Sequence, residues 1–328
     1  MLHNNCEEKE LLDLDMRKFG FLLTALAGIL ALNVKAQYDP SFAHYWMMEP
    51  EFNPAAVGVR PTLRAIGAYS NQLSGYQNNP KTMYVSADMP FTFIRGNHHA
   101  GGVYLQNDEI GFFSHKRVAI QYAFRFGLFG GTMSIGLQGE VLNESFDGSK
   151  IDVEDTSDPA IPSSSVNGNK LDAGAGLYWN NDKLYVGVSS QHITAPTVTM
   201  GEKYLVDIKR SYYFTAGYNI ALRNPLFSIH PTVRWMYDGQ EDKGDITVRA
   251  QYEYNEKMLF IGASYSPSTS ATLLVGGKFH GVVISYSYEA YTGGVGLGNG
   301  AHELVVSYLI NLNVEKKGKN RHQSVRLL

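Results

Sequence analysis

The chain has 328 residues, with 28 Lys+Arg against 31 Asp+Glu, 33 Gly, 21 Tyr, 16 Phe and one cysteine, Cys6. A net charge of −3 offers no basic surface for nucleic acid. A lone cysteine cannot brace the fold with an internal disulfide.

In chain order, an acidic stretch, Met1 to Asp15, precedes a second methionine, Met16. Arg17 and Lys18 then lead an apolar run from Phe19 to Leu32, followed by Val34-Lys35-Ala36. A basic start, an apolar core and small residues before a cut describe a secretory signal peptide. Residues 1–36 are therefore read as an upstream extension plus a signal peptide cleaved after Ala36. They carry 4 Lys+Arg and 5 Asp+Glu, which leaves 24 against 26 in the mature chain. No mature stretch holds the roughly eighteen consecutive apolar residues of a membrane helix.

Residues 37–60 do not alternate and carry several prolines, so they make a poor strand. Asn53-Pro54 reads as the start of a capped turn, with Pro54 at the first helical position and Gly58 closing it. Phe42, Tyr45, Trp46 and Phe52 need burial, which is expected at the periplasmic mouth of a barrel.

From residue 61 to 313 the sequence alternates. Ile246, Val248, Ala250, Tyr252 and Tyr254 are separated by Thr247, Arg249, Gln251 and Glu253. The stretch before repeats this, with Phe227, Ile229, Val233, Trp235 and Tyr237 set against Ser228, His230, Thr232 and Arg234. A period of two puts one strand face against an apolar medium and the other against water. Fourteen strands are predicted: 62–70, 82–89, 99–107, 116–127, 131–144, 171–180, 183–192, 211–222, 226–238, 245–254, 257–266, 270–278, 281–289 and 301–312. Segments of about ten residues suit tilted strands crossing a bilayer, and an even number suits a single-chain bacterial barrel.

Connections after even-numbered strands are mostly short and those after odd-numbered strands mostly long, as for periplasmic turns and outer loops. Residues 90–98 and Pro267-Ser268 break that rule. Both termini are expected in the periplasm, with residues 314–328 forming a basic tail. Arg125, Glu140, Asp172, Arg234, Arg249, Glu253 and Glu289 fall on the polar faces, as lumen-facing charges. Tyr69, Tyr84, Trp179, Tyr185, Tyr212 and Tyr237, near strand ends, are read as interfacial aromatics. The fold class is all-β, a closed antiparallel outer-membrane barrel. A soluble β-sandwich, the alternative, explains the alternation but not why these charges share the polar face.

Motifs for chemistry are weak. The run Gly294–Gly300 lacks the following helix that phosphate cradling requires. The acidic residues Asp147, Asp152, Glu154, Asp155 and Asp158 match no calcium-loop spacing. His98-His99 have no further ligand at metal-site spacing. Ser189, His192 and Asp172 have the residue types of a triad, but a triad is recognised by geometry. No enzyme, cofactor or metal is expected.

Gln37, Asp39, Pro40, Phe42 and Tyr45, followed by Asn53, Pro54, Ala55 and Gly58, resemble the opening of the PorP/SprF family of type IX secretion system outer-membrane proteins. Glu49-Pro50 stands where that pattern has a first Asn-Pro. The last strand is similar too, with Gly300, His302, Glu303, Ser307 and Tyr308 in the family's spacing. Glu303 is expected to join a lumen hydrogen-bond network. The resemblance implies a non-enzymatic component of protein secretion and gliding in Bacteroidetes. Its implied partners are the outer-membrane bilayer, the periplasmic ring and motor proteins, and the C-terminal domains of secreted surface proteins. Residues 37–58 and the basic tail are the expected docking elements. The alternative is a general porin or solute uptake channel.

Overall fold

The computed structural model describes residues 38–91, 98–150, 162, 164–201, 204–267, 269–292 and 300–310. The signal sequence, the basic tail, most of the acidic loop and nearly all of the Gly294–Gly300 run lie outside them.

The strands, in chain order, are β1 (Leu63–Asn71), β2 (Lys81–Pro90), β3 (His99–Ile110), β4 (Phe113–Leu128), β5 (Gly131–Asp147), β6 (Ser165–Asn180) and β7 (Leu184–Gln191). A small hairpin follows, β8 (Thr197–Met200) and β9 (Tyr204–Asp207). Then come β10 (Ser211–Tyr218), β11 (Ile220–Ala221), β12 (Phe227–Tyr237), β13 (Asp242–Tyr254), β14 (Lys257–Ser266), β15 (Ser270–Phe279), β16 (Val282–Tyr291) and β17 (Ala301–Ile310). Leaving out the β8–β9 hairpin, they form one 15-stranded antiparallel sheet, in which β11 continues β10 past Asn219. The barrel therefore has fourteen staves. It closes where β1 pairs with β17, Leu63 opposite Ile310 and Asn71 opposite His302. Closure leaves no unpaired edge, which is what permits a sheet to sit in hydrocarbon.

Alternation decides which face points where. Ile120 is 70% exposed and Leu273 69%, whereas Thr247 is fully buried. Val85 lies opposite Leu105, Leu105 opposite Val118, Val118 opposite Val141 and Val141 opposite Leu171. These outward residues form an apolar belt far too continuous for a surface in water. Lipid covers it, and the protein is an outer-membrane barrel.

Three expectations change. β3 and β4 run on to a tight turn at Gly111-Phe112 instead of a longer loop, because alternation continues through Asp108 and His115. Tyr84 and Tyr185 are not girdle residues. Tyr84 is buried inside against Phe42 and Tyr104, and Tyr185 stacks on Tyr178. Most consequentially, residues 38–60 do not sit at the mouth; they run down the lumen. A fourteen-stave barrel is too wide for its own side chains to fill, and this aromatic-rich segment supplies the missing core.

The lumen segment enters beside the long-loop end and leaves at the short-turn end. It contains one short helix, α1 (Glu49–Phe52), and a 3-10 turn, Pro54–Ala56. At the long-loop end the β8–β9 hairpin folds inward, packing Val198, and Ile208 just past β9, on Leu142 with Tyr38 alongside.

Candidate functional site

The filled lumen is the site. At its outer end, Asp39 is enclosed by three partners. Arg117 Nη1 donates to Asp39 Oδ1 at 3.0 Å, His192 Nε2 lies 2.9 Å from the same oxygen, and the Tyr213 hydroxyl donates to Oδ2 at 2.6 Å. Burial alone would raise the Asp39 carboxyl, but His192 and Arg117 outweigh it and hold it well below the usual carboxylate range. His192 Nδ1 meets Asp172 Oδ2 at 2.6 Å, so carboxylates face both ring nitrogens. Only an imidazolium can donate to both. Burial opposes that charge, yet Asp39 and the two hydrogen bonds push the ring up to about 9. Arg117 also donates to Glu140 Oε2 at 3.0 Å, and Tyr38 donates to Glu144 Oε1 at 2.5 Å.

The middle of the segment is held by inward-facing strand residues. The amides of Ala43 and His44 donate to Glu303 at 2.8 and 3.0 Å, and His44 Nδ1 lies 2.6 Å from the same carboxylate. Phe42 and Met48 pack with Ile66, Tyr84 and Tyr104, while Phe52 stacks on Tyr213. The Tyr45 hydroxyl donates to the Thr232 carbonyl at 3.1 Å, and Arg234 lies over the Tyr45 ring. A helix of one turn leaves most of its carbonyls without internal partners. Here Gln121 donates to the Pro50 carbonyl at 2.5 Å, and Gln191 and Ser189 donate to that of Phe52 at 2.8 and 2.7 Å.

The Asn53-Pro54 turn forms as its residues dictate. Asn53 Oδ1 accepts from the Ala55 amide at 2.9 Å, and Asn53 Nδ2 donates across to the Leu177 carbonyl at 3.1 Å. Gly136 on β5 lets the backbone of Pro54 and Ala55 approach so closely that any Cβ there would collide with it. Gly58 adopts φ +62°, and its amide donates to Asp88 Oδ2 at 2.8 Å; Asp88 also accepts from Arg64 Nε at 2.8 Å. Glu49-Pro50 opens α1 without a side-chain cap, Met48 making none.

The remaining charges singled out above sit as follows. Arg125 donates to the Gly58 carbonyl, Arg234 pairs with Asp245 at 2.6 Å, and Glu289 accepts from Ser270. The Arg249 guanidinium carbon lies over Trp46, 3.5 Å from the ring centroid, and Glu253 pairs with Lys278 at 3.4 Å near the short-turn end. Of the C-terminal motif, Glu303 points in, whereas Tyr308 points to lipid and His302 bonds the Tyr286 hydroxyl at 2.6 Å. Asp39, Phe42, Tyr45, Asn53, Pro54, Ala55 and Gly58 are all buried, and Pro40 is half-buried. Their side chains are closed to a docking partner in this conformation.

Ser189, His192 and Asp172 do not form a triad. The His–Asp contact exists, but the far nitrogen meets Asp39, and the Ser189 hydroxyl is spent on Phe52. Glu140, Asp172 and His192 also bring possible ligand atoms within 4.8 Å of one another. Arg117 already balances Glu140, and both imidazole nitrogens are engaged, so an ion-pair cluster accounts for them. His98 and His99 bond the Arg125 carbonyl and the Tyr122 hydroxyl.

Sequence reasoning missed Arg117, Tyr213, His44, Glu51 and the Gln106, Gln121, Gln138, Gln191 set. A signal was present: each of these glutamines lies on the inward parity of its strand, where a water-filled channel and a packed polar core look alike.

Over residues 34–308 the chain matches the family described as type IX secretion system membrane protein PorP/SprF. The chain belongs to this family. Among curated proteins none matches. Solved structures give looser likenesses. The toluene transporter TbuX of Ralstonia pickettii shows 12% identity and a TM-score of 0.49, with 80% of this chain and 92% of that one covered. The toluene transporter TodX of Pseudomonas putida shows 10% and 0.48, covering 83% and 95%. Omp33 of Acinetobacter baumannii shows 9% and 0.44, covering 77% and 100%. The PorP/SprF chain is thus a plugged membrane barrel whose two terminal motifs meet inside it, at His44 and Glu303.

Proposed function

We propose that this barrel is a non-enzymatic station of type IX secretion, not a pore for solutes. Its short-turn end meets periplasmic ring or motor proteins, and its long outer loops hold the C-terminal domains of secreted proteins. The supporting observation is the filling of the lumen by residues 38–60, anchored through the buried Asp39–Arg117 ion pair and through backbone amides that donate to Asp88 and Glu303. A diffusion channel would need that segment to leave, breaking buried charge pairs at a cost of several kcal/mol. With the motif side chains turned inward, docking falls to the turns, the loops and the tail.

Deleting the gene tests this reading. Cargo of the system is expected to stop reaching the surface, and the purified barrel is expected to be electrically silent in planar bilayers. Normal secretion in the deletion strain, or large steady conductance of the intact barrel, would overturn it in favour of the channel.

A further inference from the structure

Below the lumen segment, at the short-turn end, lies a cavity of about 420 Å3 lined by Trp46, Arg60, Arg64, Arg249, Lys278 and Glu49, among others. The β8–β9 hairpin covers the opposite end, so this vestibule opens to the periplasmic side. Its cations differ in what they touch. Arg64 is engaged by Asp88 and by the Met47 carbonyl, and Lys278 by Glu253. Among the described residues, Arg60 and Arg249 have neither a hydrogen-bond nor an ion-pair partner. Arg249 is only 8% exposed, and its Nε is buried without an acceptor. A buried Nε–H without an acceptor is costly to leave unmade, and it belongs to a guanidinium held over Trp46 in the wall of the cavity. Of the two carboxylates in the wall, Glu253 pairs with Lys278, and Glu49 accepts from the Tyr178 hydroxyl at 3.2 Å.

We propose that this vestibule receives a carboxylate-rich segment of a periplasmic protein, clamped by Arg60 and Arg249. A planar guanidinium binds a carboxylate through two parallel hydrogen bonds. Apolar Met258, Val283 and Leu309 share the wall with these arginines, which suits a peptide alternating acidic and apolar side chains. The volume is in the range of pockets that hold a short segment. A lipid headgroup is poorly placed to enter, since the site lies inside the barrel wall. The chain's own tail, with Lys316, Lys317, Lys319 and Arg321, has the wrong sign. The inference deepens the secretion reading and rests on its assignment of the short-turn end to the periplasm.

Calorimetric titration of the intact, detergent-solubilised barrel with acetyl-Glu-Leu-Glu-Leu-Glu-amide tests it. Binding is expected to weaken with salt, as pairing of accessible charges does. It should fall roughly tenfold with each of Arg60→Gln and Arg249→Gln, and stay unchanged in Lys183→Gln on an exposed turn. The gel mobility shift of heated against unheated barrel confirms that each variant folds. The proposal is overturned if the peptide with Gln in place of Glu binds equally well, if both arginine variants bind like the parent, or if inorganic phosphate at the same concentration displaces the peptide completely. Peptide binding by a barrel whose deletion leaves secretion intact would sink the secretion reading alone. Failed binding beside lost secretion would sink only this site.

Discussion

Asp39 and Arg117, 78 positions apart, meet at 3.0 Å with both side chains sealed from solvent. Removing the Asp39 charge takes one of two carboxylate partners from both Arg117 and His192 in a low-dielectric interior, where losing a buried ion-pair partner typically costs about 3–5 kcal/mol. Asp39→Asn is therefore expected to release the outer half of the lumen segment, exposing residues 38–48 to protease in detergent. Adding Arg117→Gln should not restore the protection, because Glu140 then loses its own buried partner. Unchanged cleavage in the single variant would count against this anchor.

Asn53 ties a turn and a strand together through one side chain. Asn53→Ala loses the cap and leaves the buried Ala55 amide without its acceptor, for a predicted loss of about 1–2 kcal/mol. Calorimetric unfolding of the purified barrel would register it as a lower midpoint, and an unchanged midpoint would refute it.

His192, raised from 6.5 to about 9, adds stability that is complete below 6.5 and fades as pH climbs through 9. Amide exchange across residues 38–48, corrected for intrinsic rate, should be faster at pH 9 than at pH 6. Equal corrected rates would exclude this linkage.

Gly136→Leu places a side chain where the backbone of Pro54 and Ala55 already lies. The wall is continuous sheet and the segment is not, so the segment should yield. The expected result is a barrel that still folds but conducts in planar bilayers. A silent Gly136→Leu barrel would show that the lumen accommodates the insertion.

Ile120 belongs to the lipid-facing belt near the middle of β4. Ile120→Arg should reduce folding stability in vesicles by about 2–4 kcal/mol, the usual penalty at the bilayer midplane. Urea titration in lipid would show this, and an unshifted curve would argue that this face does not meet hydrocarbon.

Much of the barrel was legible residue by residue. The stretch from Ile246 to Tyr254 declares its two faces through alternation alone, because the contrast between lipid and lumen acts on each position separately. The Asn53-Pro54-Gly58 turn was legible for the same reason, since its cap and positive φ are local. Tyr84 and Tyr185 show the limit: a tyrosine near a strand end looks the same whether it faces headgroups or a packed lumen.

What the sequence alone determined is the closed all-β barrel, its fourteen staves and their inward and outward sides, all set by contacts between near neighbours and solvent. Only the tertiary structure decided that residues 38–60 fill the lumen, that Ala43 and Glu303 join across 260 positions, and that Asp39 reaches Tyr213 across 174. Such contacts depend on the barrel's width and on which strand ends it brings together, and neither quantity is written into a two-residue period.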